Sequence, residues 1–298
     1  MLAKTKKSEK KRLLFESLYR LSVIFSGLIL FIIIIFIFAS GFPALKEYGF
    51  FEMILNKEWS PNATDPQFGL LYMVLATIIS TLLSLLIAIP IGVLSAAYLS
   101  KMAPKKIKKT IMFFVEILAG IPSVIYGFFI LKTLVKIIYD NGKYIEGVSG
   151  NSMLAAIAVL ALMSLPTIIT VSVTSLDAIN KSYDEASYAL GANTIQTIFK
   201  VDLRAARLGI MSAIVLGAGK VIGETMAVML VSGNAINFPG NLLEPVRTLT
   251  SNIATEMAYA SGLHQSALYA TGIILFILIM ILNYILLVVI KRGGTSDA

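Results

Sequence analysis

The sequence predicts an all-α membrane protein with six transmembrane helices. Of its 298 residues, 57% are hydrophobic and only 14% are charged, whereas soluble domains carry roughly 25% charged residues. A membrane helix needs about 20 predominantly apolar residues. Six stretches reach that length, at about 21–43, 69–99, 111–138, 152–176, 208–233 and 266–290. Their apolar residues run continuously instead of alternating with polar ones, which argues against membrane-spanning strands.

The first apolar stretch is predicted to be a retained anchor. The letters FIFASG loosely resemble a signal-peptide cleavage region. However, the apolar run 21–39 exceeds a typical signal segment, and about 20 mostly polar residues precede it. We therefore divide the chain into a basic cytoplasmic N-terminus (1–20), a first transmembrane helix (21–43), an outer loop (44–68), a core with five further spans (69–292) and a cytoplasmic tail (293–298).

The positive charges predict the orientation in the membrane. Lysines and arginines cluster at 4–20, 101–109, 181–207 and 291–292, which all fall on one predicted side, while the other side carries Lys46, Lys57, Lys143 and Arg247. Because positively charged loops stay in the cytoplasm, both termini are predicted to be cytoplasmic. Topology and anionic lipid headgroups explain the net charge of +8, so we predict the lipid bilayer, and no nucleic acid, as a partner.

The residue types argue against most kinds of catalytic and metal-binding site. There is no cysteine and only one histidine, His264, which we interpret as structural. We therefore predict no metal site, no cofactor and no catalytic residue, and a membrane-embedded enzyme is the least favoured class. The segment GAGKV (217–221) is not a phosphate-binding loop, because Ile214 replaces the first glycine and Val221 the Ser or Thr that holds magnesium.

One polar stretch between two spans, DEASYALGANTIQTIFKVDLRAAR (184–207), predicts two short helices with a bend between them. Ser182 and Glu185 fit a capping box, Gly191 fits the end of the first helix, and Asn193 with Gln196 fits the start of the second. Glu185 could serve only as a helix cap.

The same stretch carries large apolar side chains, namely Tyr188, Leu190, Ile195, Ile198 and Phe199. Such a patch on the water side favours contact with a partner or with the bilayer surface.

The letters EASYALGA (185–192) resemble the EAA loop of ABC importer permeases. Four more stretches, at 118–129, 217–234, 244–257 and 264–276, resemble the phosphate-specific permeases of the PstC type. The resemblance implies a type I ABC importer permease (MetI-like) architecture in the cytoplasmic membrane of a prokaryote. It implies that residues 182–203 form cytoplasmic coupling helices that contact an ATPase through Glu185, Ala186, Ser187, Gly191 and Ala192.

The resemblance also implies the partners. These are a second, related permease subunit forming a heterodimer, a homodimeric ATP-binding subunit, an extracytoplasmic phosphate-binding protein, and phosphate itself. Three positions depart from the family pattern: Ser187 replaces an alanine, Arg204 a proline and Lys220 an arginine. Lysine lacks the planar fork that contacts oxyanions in a bidentate manner.

A lysine inside the fifth span is the strongest candidate for the transport route. Lys220 lies twelve residues beyond Leu208, about 18 Å deep at ~1.5 Å per residue. Such a residue should face the protein interior and have a partner, for which Glu224 is the candidate. The pair could be only structural. We predict a pathway containing Lys220, Glu224, Thr225 and Ser123; Ser123 follows Pro122, which could open a backbone gap or merely kink the helix.

The fifth span also carries small residues at GxxxG spacing. Gly219 and Gly223 form one such pair, and Ala213 and Gly217 form another. Both predict close helix packing, which could place Lys220 beside a second subunit.

Two other functions stay open at this stage. The chain could be a permease for another oxyanion, such as sulfate, molybdate or phosphonate. It could also be a self-sufficient secondary anion carrier, although carriers usually show paired inverted segments or several intramembrane ionisable groups.

Overall fold

Long helices build the fold. The structure is a computed structural model that describes residues 2–142 and 149–292; the predicted tail 293–298 and the loop residue Lys143 lie outside this range. Four helices are long and apolar enough to span a membrane. They are α1 (Leu2–Tyr48), α3 (Leu71–Lys101), α7 (Met153–Asp177) and α14 (Gly262–Arg292).

Two further spans are bent. The predicted third span comprises α4 (Lys105–Gly120) and a helix that begins with α5 (Ser123–Ile130), continues through a π-helical turn (Leu131–Val135) and ends with α6 (Lys136–Gly142). These two parts meet at 97°. Pro122 stands immediately before α5, and since it has no N–H to continue a helix, the span breaks there instead of kinking. In the part of the chain that the structure describes, length and composition give up to six candidate spans if the bent pairs at 105–142 and 194–222 each count as one, in agreement with the six predicted.

The fifth span is interrupted. It consists of α11 (Arg207–Ile222) and the short α12 (Met226–Val231). Before α11 lie α8 (Lys181–Ala189), α9 (Thr194–Thr197), a π-helical turn (Ile198–Asp202) and α10 (Leu203–Ala205). The segment Thr194–Ala205 turns into α11 at 72°. We call residues 181–205 the elbow.

The N-terminal helix is longer than predicted. It runs without a break from Leu2 to Tyr48, so the boundary placed between residues 20 and 21 is not a structural one. Its basic first part is rich in Lys, Glu and Leu, which are good helix formers. From residue 15 to 35 nearly every side chain is exposed, as expected of a helix that faces lipid.

The core is centred on α7, against which α3 and α11 both pack. An added Cβ at Gly92 of α3 would lie 2.6 Å from Ile168 of α7, and one at Gly217 of α11 would lie 2.9 Å from the same side chain. Ile168 is fully buried. The missing side chains therefore allow both neighbouring helices to approach α7 closely.

The predicted outer loops carry regular structure. Residues 44–68 contain the end of α1, the helix α2 (Phe50–Leu55), and a two-residue antiparallel ribbon of β1 (Trp59–Ser60) and β2 (Gln67–Phe68). Residues 234–265 contain α13 (Leu249–Glu256). The Trp59 Nε1 donates to Glu256 Oε2 at 3.0 Å, so the ribbon and α13 are fastened together.

Candidate functional site

The first elbow helix does not start as predicted. Its N-cap is Asn180, whose Oδ1 accepts the N–H of Ser182 at 3.1 Å. The predicted capping box of Ser182 and Glu185 is therefore wrong, because Asn180 already supplies the oxygen two residues earlier. Glu185 does not cap the helix, and its side chain is exposed to solvent.

The bend of the elbow matches the prediction. Gly191 has φ +83, its N–H donates to Tyr188 O at 2.9 Å, and the Ala192 N–H donates to Ser187 O at 3.2 Å. This is a Schellman ending, which favours glycine at the left-handed position. Asn193 and Gln196 form the predicted capping box at the start of the next helix.

Ser187 joins the two elbow helices. Its Oγ lies 2.9 Å from Thr197 Oγ1, and both side chains are buried. The serine thus fills the place of the family alanine and adds a hydrogen bond that alanine cannot make. A cavity of about 440 Å³ lies beside it, lined in part by Ala186, Gly191 and Ala192. Of the five predicted coupling residues, all but Glu185 therefore line this groove.

Large apolar side chains project from the elbow. Leu190 is 89% exposed, and Tyr188, Ile195 and Phe199 are about half exposed or more. Ile198 differs from the prediction, since it is buried against the helix ends. The exposed set forms an apolar surface on the elbow, which is unusual unless a partner or the bilayer surface covers it.

An ionic cluster at the base of the elbow was not apparent from the sequence. Lys101, the last residue of α3, places its Nζ 3.0 Å from Asp184 Oδ2 and 2.9 Å from Asp202 Oδ1. The two carboxylates come from the two limbs of the elbow. The only sequence signal is three charged residues near helix ends, separated by long intervals.

The two aspartates of this cluster differ in acidity. Burial raises the pKa of Asp202, and a hydrogen bond with Asp184 raises it further. Burial also acts to raise the pKa of Asp184, but hydrogen bonds to Asp202 and Lys101 outweigh it and lower that pKa. The arrangement therefore favours an ionised Asp184, with any shared proton on Asp202.

The predicted ion pair between Lys220 and Glu224 is not formed. Lys220 lies in the last turn of α11, which ends at Ile222, so the helical geometry that would bring the two side chains together is lost. Glu224 instead uses Oε1 to accept the N–H of Ala227 at 3.1 Å, at the start of α12. Within the part of the chain that the structure describes, Lys220 makes no ion pair, although it is partly buried.

The break between α11 and α12 is held by neighbouring elements. Thr250 of α13 donates from Oγ1 to the carbonyl oxygen of Glu224 at 2.9 Å. Thr225 donates to Gly223 O at 3.3 Å and directly precedes α12.

The broken third span packs against α12. An added Cβ at Gly127, one turn after the partly buried Ser123, would lie 2.9 Å from the Cα of Ala227. Ser123, Thr225 and Glu224 therefore belong to elements that meet at the break.

The two small-residue pairs of α11 behave differently. Ala213 is fully buried and Gly217 packs on Ile168, so the packing prediction holds for this pair within the chain. At Gly219 an added Cβ would meet no atom within 4 Å, and at Gly223 it would meet only Gly219 O at 3.5 Å. The face of α11 and its break that carries Gly219 and Gly223, beside Lys220, is open. We call it the glycine face.

A second ionic cluster lies at the end of the molecule opposite the elbow. Arg247 Nη1 is 2.6 Å from Glu256 Oε1, and His264 Nε2 is 2.8 Å from Glu256 Oε2. His264 is buried and joins α14 to α13, in agreement with the structural role predicted for it. In the described ranges no group of His, Asp and Glu side chains has the geometry to hold a metal ion.

Comparisons with known proteins agree with this architecture. Residues 88–293 match the family described as binding-protein-dependent transport system inner membrane component. The chain is 35% identical over 240 residues to the "Probable ABC transporter permease protein YqgH" of Bacillus subtilis, covering 78% of this chain and 77% of that protein. It is 31% identical over 279 residues to the phosphate transport system permease protein PstC of Mesorhizobium japonicum, covering 87% and 84%.

A solved structure shares the fold. It is a chain in the crystal structure of a bacterial alginate ABC transporter in complex with an alginate pentasaccharide-bound periplasmic protein, matched with a TM-score of 0.64 over 95% of this chain and 99% of that chain. The identity is 16%, so this likeness concerns the fold.

Proposed function

Because this chain belongs to the family of binding-protein-dependent transport system inner membrane components, we propose that it is the permease subunit through which an ATP-driven importer moves inorganic phosphate. The all-α fold with six spans is that of type I ABC importer permeases. The substrate is suggested by the relatives named as phosphate permeases, such as that of Mesorhizobium japonicum. The observation that carries the proposal is Lys220, which has no ion-pair partner among the described residues and lies beside an interrupted span.

A separate ATPase supplies the energy in this proposal. The chain lacks a complete phosphate-binding loop, so ATP is hydrolysed on a partner, a homodimeric ATP-binding subunit. The apolar surface of the elbow, with Leu190 foremost, is suited to bind that subunit. Glu185 and Ala186 are exposed beside it, and Gly191 sets the angle between the two elbow helices.

A second permease subunit completes the pathway. The glycine face lets another helix approach α11 closely, and a related subunit placed there would enclose Lys220 between the two chains. An extracytoplasmic phosphate-binding protein would dock at the end that carries the ribbon and α13. In this proposed orientation the elbow and both termini lie in the cytoplasm, in accordance with the distribution of lysine and arginine.

Lys220 then provides a temporary cationic contact for the anion. Since no carboxylate of residues 2–142 or 149–292 pairs with its ammonium group, phosphate can bind to it without displacing a partner from that part of the chain. Glu224 contributes a negative charge three residues before Ala227, whose N–H it holds. That charge repels the anion, keeps its residence short and fixes the start of α12. A site that binds the anion weakly lets it leave again, whereas a site that binds it tightly would retain it.

The test is uptake by the reconstituted complex. We expect vesicles that contain both permease subunits, the ATPase and the binding protein to take up phosphate only with ATP, and sulfate not to compete. Lys220→Met should abolish uptake while leaving assembly and nucleotide binding intact. Lys132→Met is a matched control, because Lys132 is an exposed lysine of another span, with its Nζ 5.4 Å from the centre of the Phe128 ring. Normal uptake by Lys220→Met, or uptake without an ATPase, would contradict the proposal.

A further inference from the structure

The ionic cluster at the base of the elbow connects elements that are far apart in sequence. We propose that Lys101 is a positioning residue that fastens α3 to both limbs of the elbow, so that α3 carries the movement of the elbow to the break at Glu224. This inference rests on the proposed function, in which an ATPase moves the elbow. It assigns to α3 a mechanical role that does not follow from chain connectivity.

The connectivity of the chain alone would give α3 no part in carrying movement from the elbow to the break. The chain enters the elbow directly from α7, which ends at Asp177, and leaves it directly into α11, which begins at Arg207. Helix α3 ends at Lys101 and does not adjoin the elbow in sequence, so a link between them must come from side-chain contacts. The Nζ of Lys101 supplies that link, because it contacts Asp184 on the first limb at 3.0 Å and Asp202 on the second at 2.9 Å.

The ionic cluster is more buried than the other ion pair at this end of the molecule. The side chain of Asp202 is 1% exposed and that of Lys101 is 14% exposed. Ions in such surroundings hold their geometry strongly, because removing one partner leaves the others buried without compensation. A second ion pair at the same end, between Lys108 and Asp177, has side chains that are 27% and 42% exposed, and exposed pairs of this kind contribute little.

The other end of α3 reaches the break. Thr77 Oγ1 accepts the N–H of Leu249 at 3.0 Å, at the start of α13. The next residue, Thr250, donates to the carbonyl oxygen of Glu224 at 2.9 Å. A continuous set of contacts therefore runs from the elbow through Lys101, along α3, and through Thr77 and α13 to the break.

Thr77 and Lys101 stand about 36 Å apart on one helix, at ~1.5 Å per residue. Helix α3 is held against α7 between these points, since Gly92 packs on Ile168. Helix α3 runs without interruption from Leu71 to Lys101, and close-packed elements transmit strain to their neighbours. Displacement of Lys101 is therefore expected at Thr77 as well.

The test measures how much phosphate the reconstituted complex moves for each ATP hydrolysed. We expect Lys101→Met to bind the ATPase and to hydrolyse ATP, but to move about fivefold less phosphate per ATP or worse. Lys101→Arg should restore the ratio, because it keeps the positive charge between the two carboxylates. Lys108→Met, which removes the more exposed pair nearby, should behave as the wild type. A normal ratio in Lys101→Met would overturn the inference.

The opposite end of α3 gives an independent test that does not disturb the ionic cluster. Thr77→Val removes the acceptor for the Leu249 N–H while keeping the shape of the side chain, and it should lower the same ratio. In the double variant with Lys101→Met the two losses should not add, since both variants interrupt the same route of contacts from the elbow to the break. A normal ratio in Thr77→Val would overturn the inference even if Lys101→Met failed to assemble, and additive losses would overturn it when all the variants assemble. Failure of the wild-type complex to bind an ATPase would instead contradict the proposed function.

Discussion

Thr250 donates a 2.9 Å hydrogen bond from Oγ1 to the backbone carbonyl oxygen of Glu224. The last carbonyl groups of a helix lack partners within that helix, and the interruption after Ile222 exposes such groups inside the membrane-spanning part of the chain. Non-helical backbone at that depth is tolerated only where protein or a water-lined cavity surrounds it. Helix α13 provides part of this surrounding, and we propose that it belongs to the transport site.

The first prediction concerns Thr250. We expect Thr250→Val to leave the Glu224 carbonyl without its donor, at a cost of about 1–3 kcal/mol, and to reduce ATP-driven phosphate uptake. Denaturation of the purified chain in detergent measures the loss of stability. Thr255→Val is the control, because Thr255 donates only to carbonyl groups within its own helix. Equal effects of the two substitutions would contradict the role assigned to Thr250.

The second prediction separates the two properties of Glu224. Glu224→Gln removes the charge but keeps an oxygen that can accept the Ala227 N–H, whereas Glu224→Ala removes both. Loss of a cap costs about 0.5–2 kcal/mol. We therefore expect Gln to abolish uptake with the stability of the chain preserved, and Ala to lower the stability as well. Thermal unfolding of the two variants side by side makes the comparison, and full uptake by Glu224→Gln would show that the charge is dispensable.

The apolar stretches made the six spans predictable, because continuous apolar runs have few other solutions. The turn at Gly191 was equally predictable, since a left-handed residue after a short helix selects glycine. The start of α8 was not, because Asn180 and Ser182 are both good caps and only the backbone geometry decides between them. The length of α1 was also missed, since a basic segment can form helix as well as an apolar one can.

The candidate site residues were easier to predict from the sequence than their contacts. Lys220 and Glu224 stood out because charges are rare in apolar runs, and four-residue spacing suggested a pair. The helix ends at Ile222 between them, and no local pattern announces that interruption. The cluster of Lys101, Asp184 and Asp202 could not have been inferred from the sequence, because its contacts span long chain separations and exist only after the helices pack.

The third prediction uses the pKa shifts in that cluster. Asp202 has a raised pKa, so the folded state binds its proton more readily than the unfolded state, whose value lies near 3.8. Ionised Asp202 therefore costs stability at neutral pH, and this cost should disappear as the pH falls through the raised pKa towards 3.8. Asp184 has a lowered pKa and behaves in the opposite way. Its contribution is present above its ordinary value near 3.8 and is lost as the pH falls through the lowered pKa.

The measurement is the free energy of unfolding in detergent as a function of pH. The stability of Asp202→Asn relative to the wild type should rise as the pH rises through the raised pKa of Asp202, and it should fall again on acidification towards pH 3.8. Asp184→Asn should be less stable than the wild type at neutral pH, and this deficit should shrink only below about pH 3.8. A pH-independent difference for Asp202→Asn would contradict the assignment of the raised pKa.

The fourth prediction compares two glycines of α11. At Gly217 an added Cβ would lie 2.9 Å from Ile168, whereas at Gly219 it would meet no atom within 4 Å. Gly217→Leu should therefore overpack the core and destabilise the isolated chain by about 1–3 kcal/mol. Gly219→Leu should leave the isolated chain as stable as the wild type and block the second permease subunit, which in our proposal approaches the glycine face. Thermal unfolding of the single chain and co-purification of the second subunit distinguish the two. If Gly219→Leu assembled normally, the glycine face would not be the subunit interface, and Lys220 would lie open to lipid instead of between two chains.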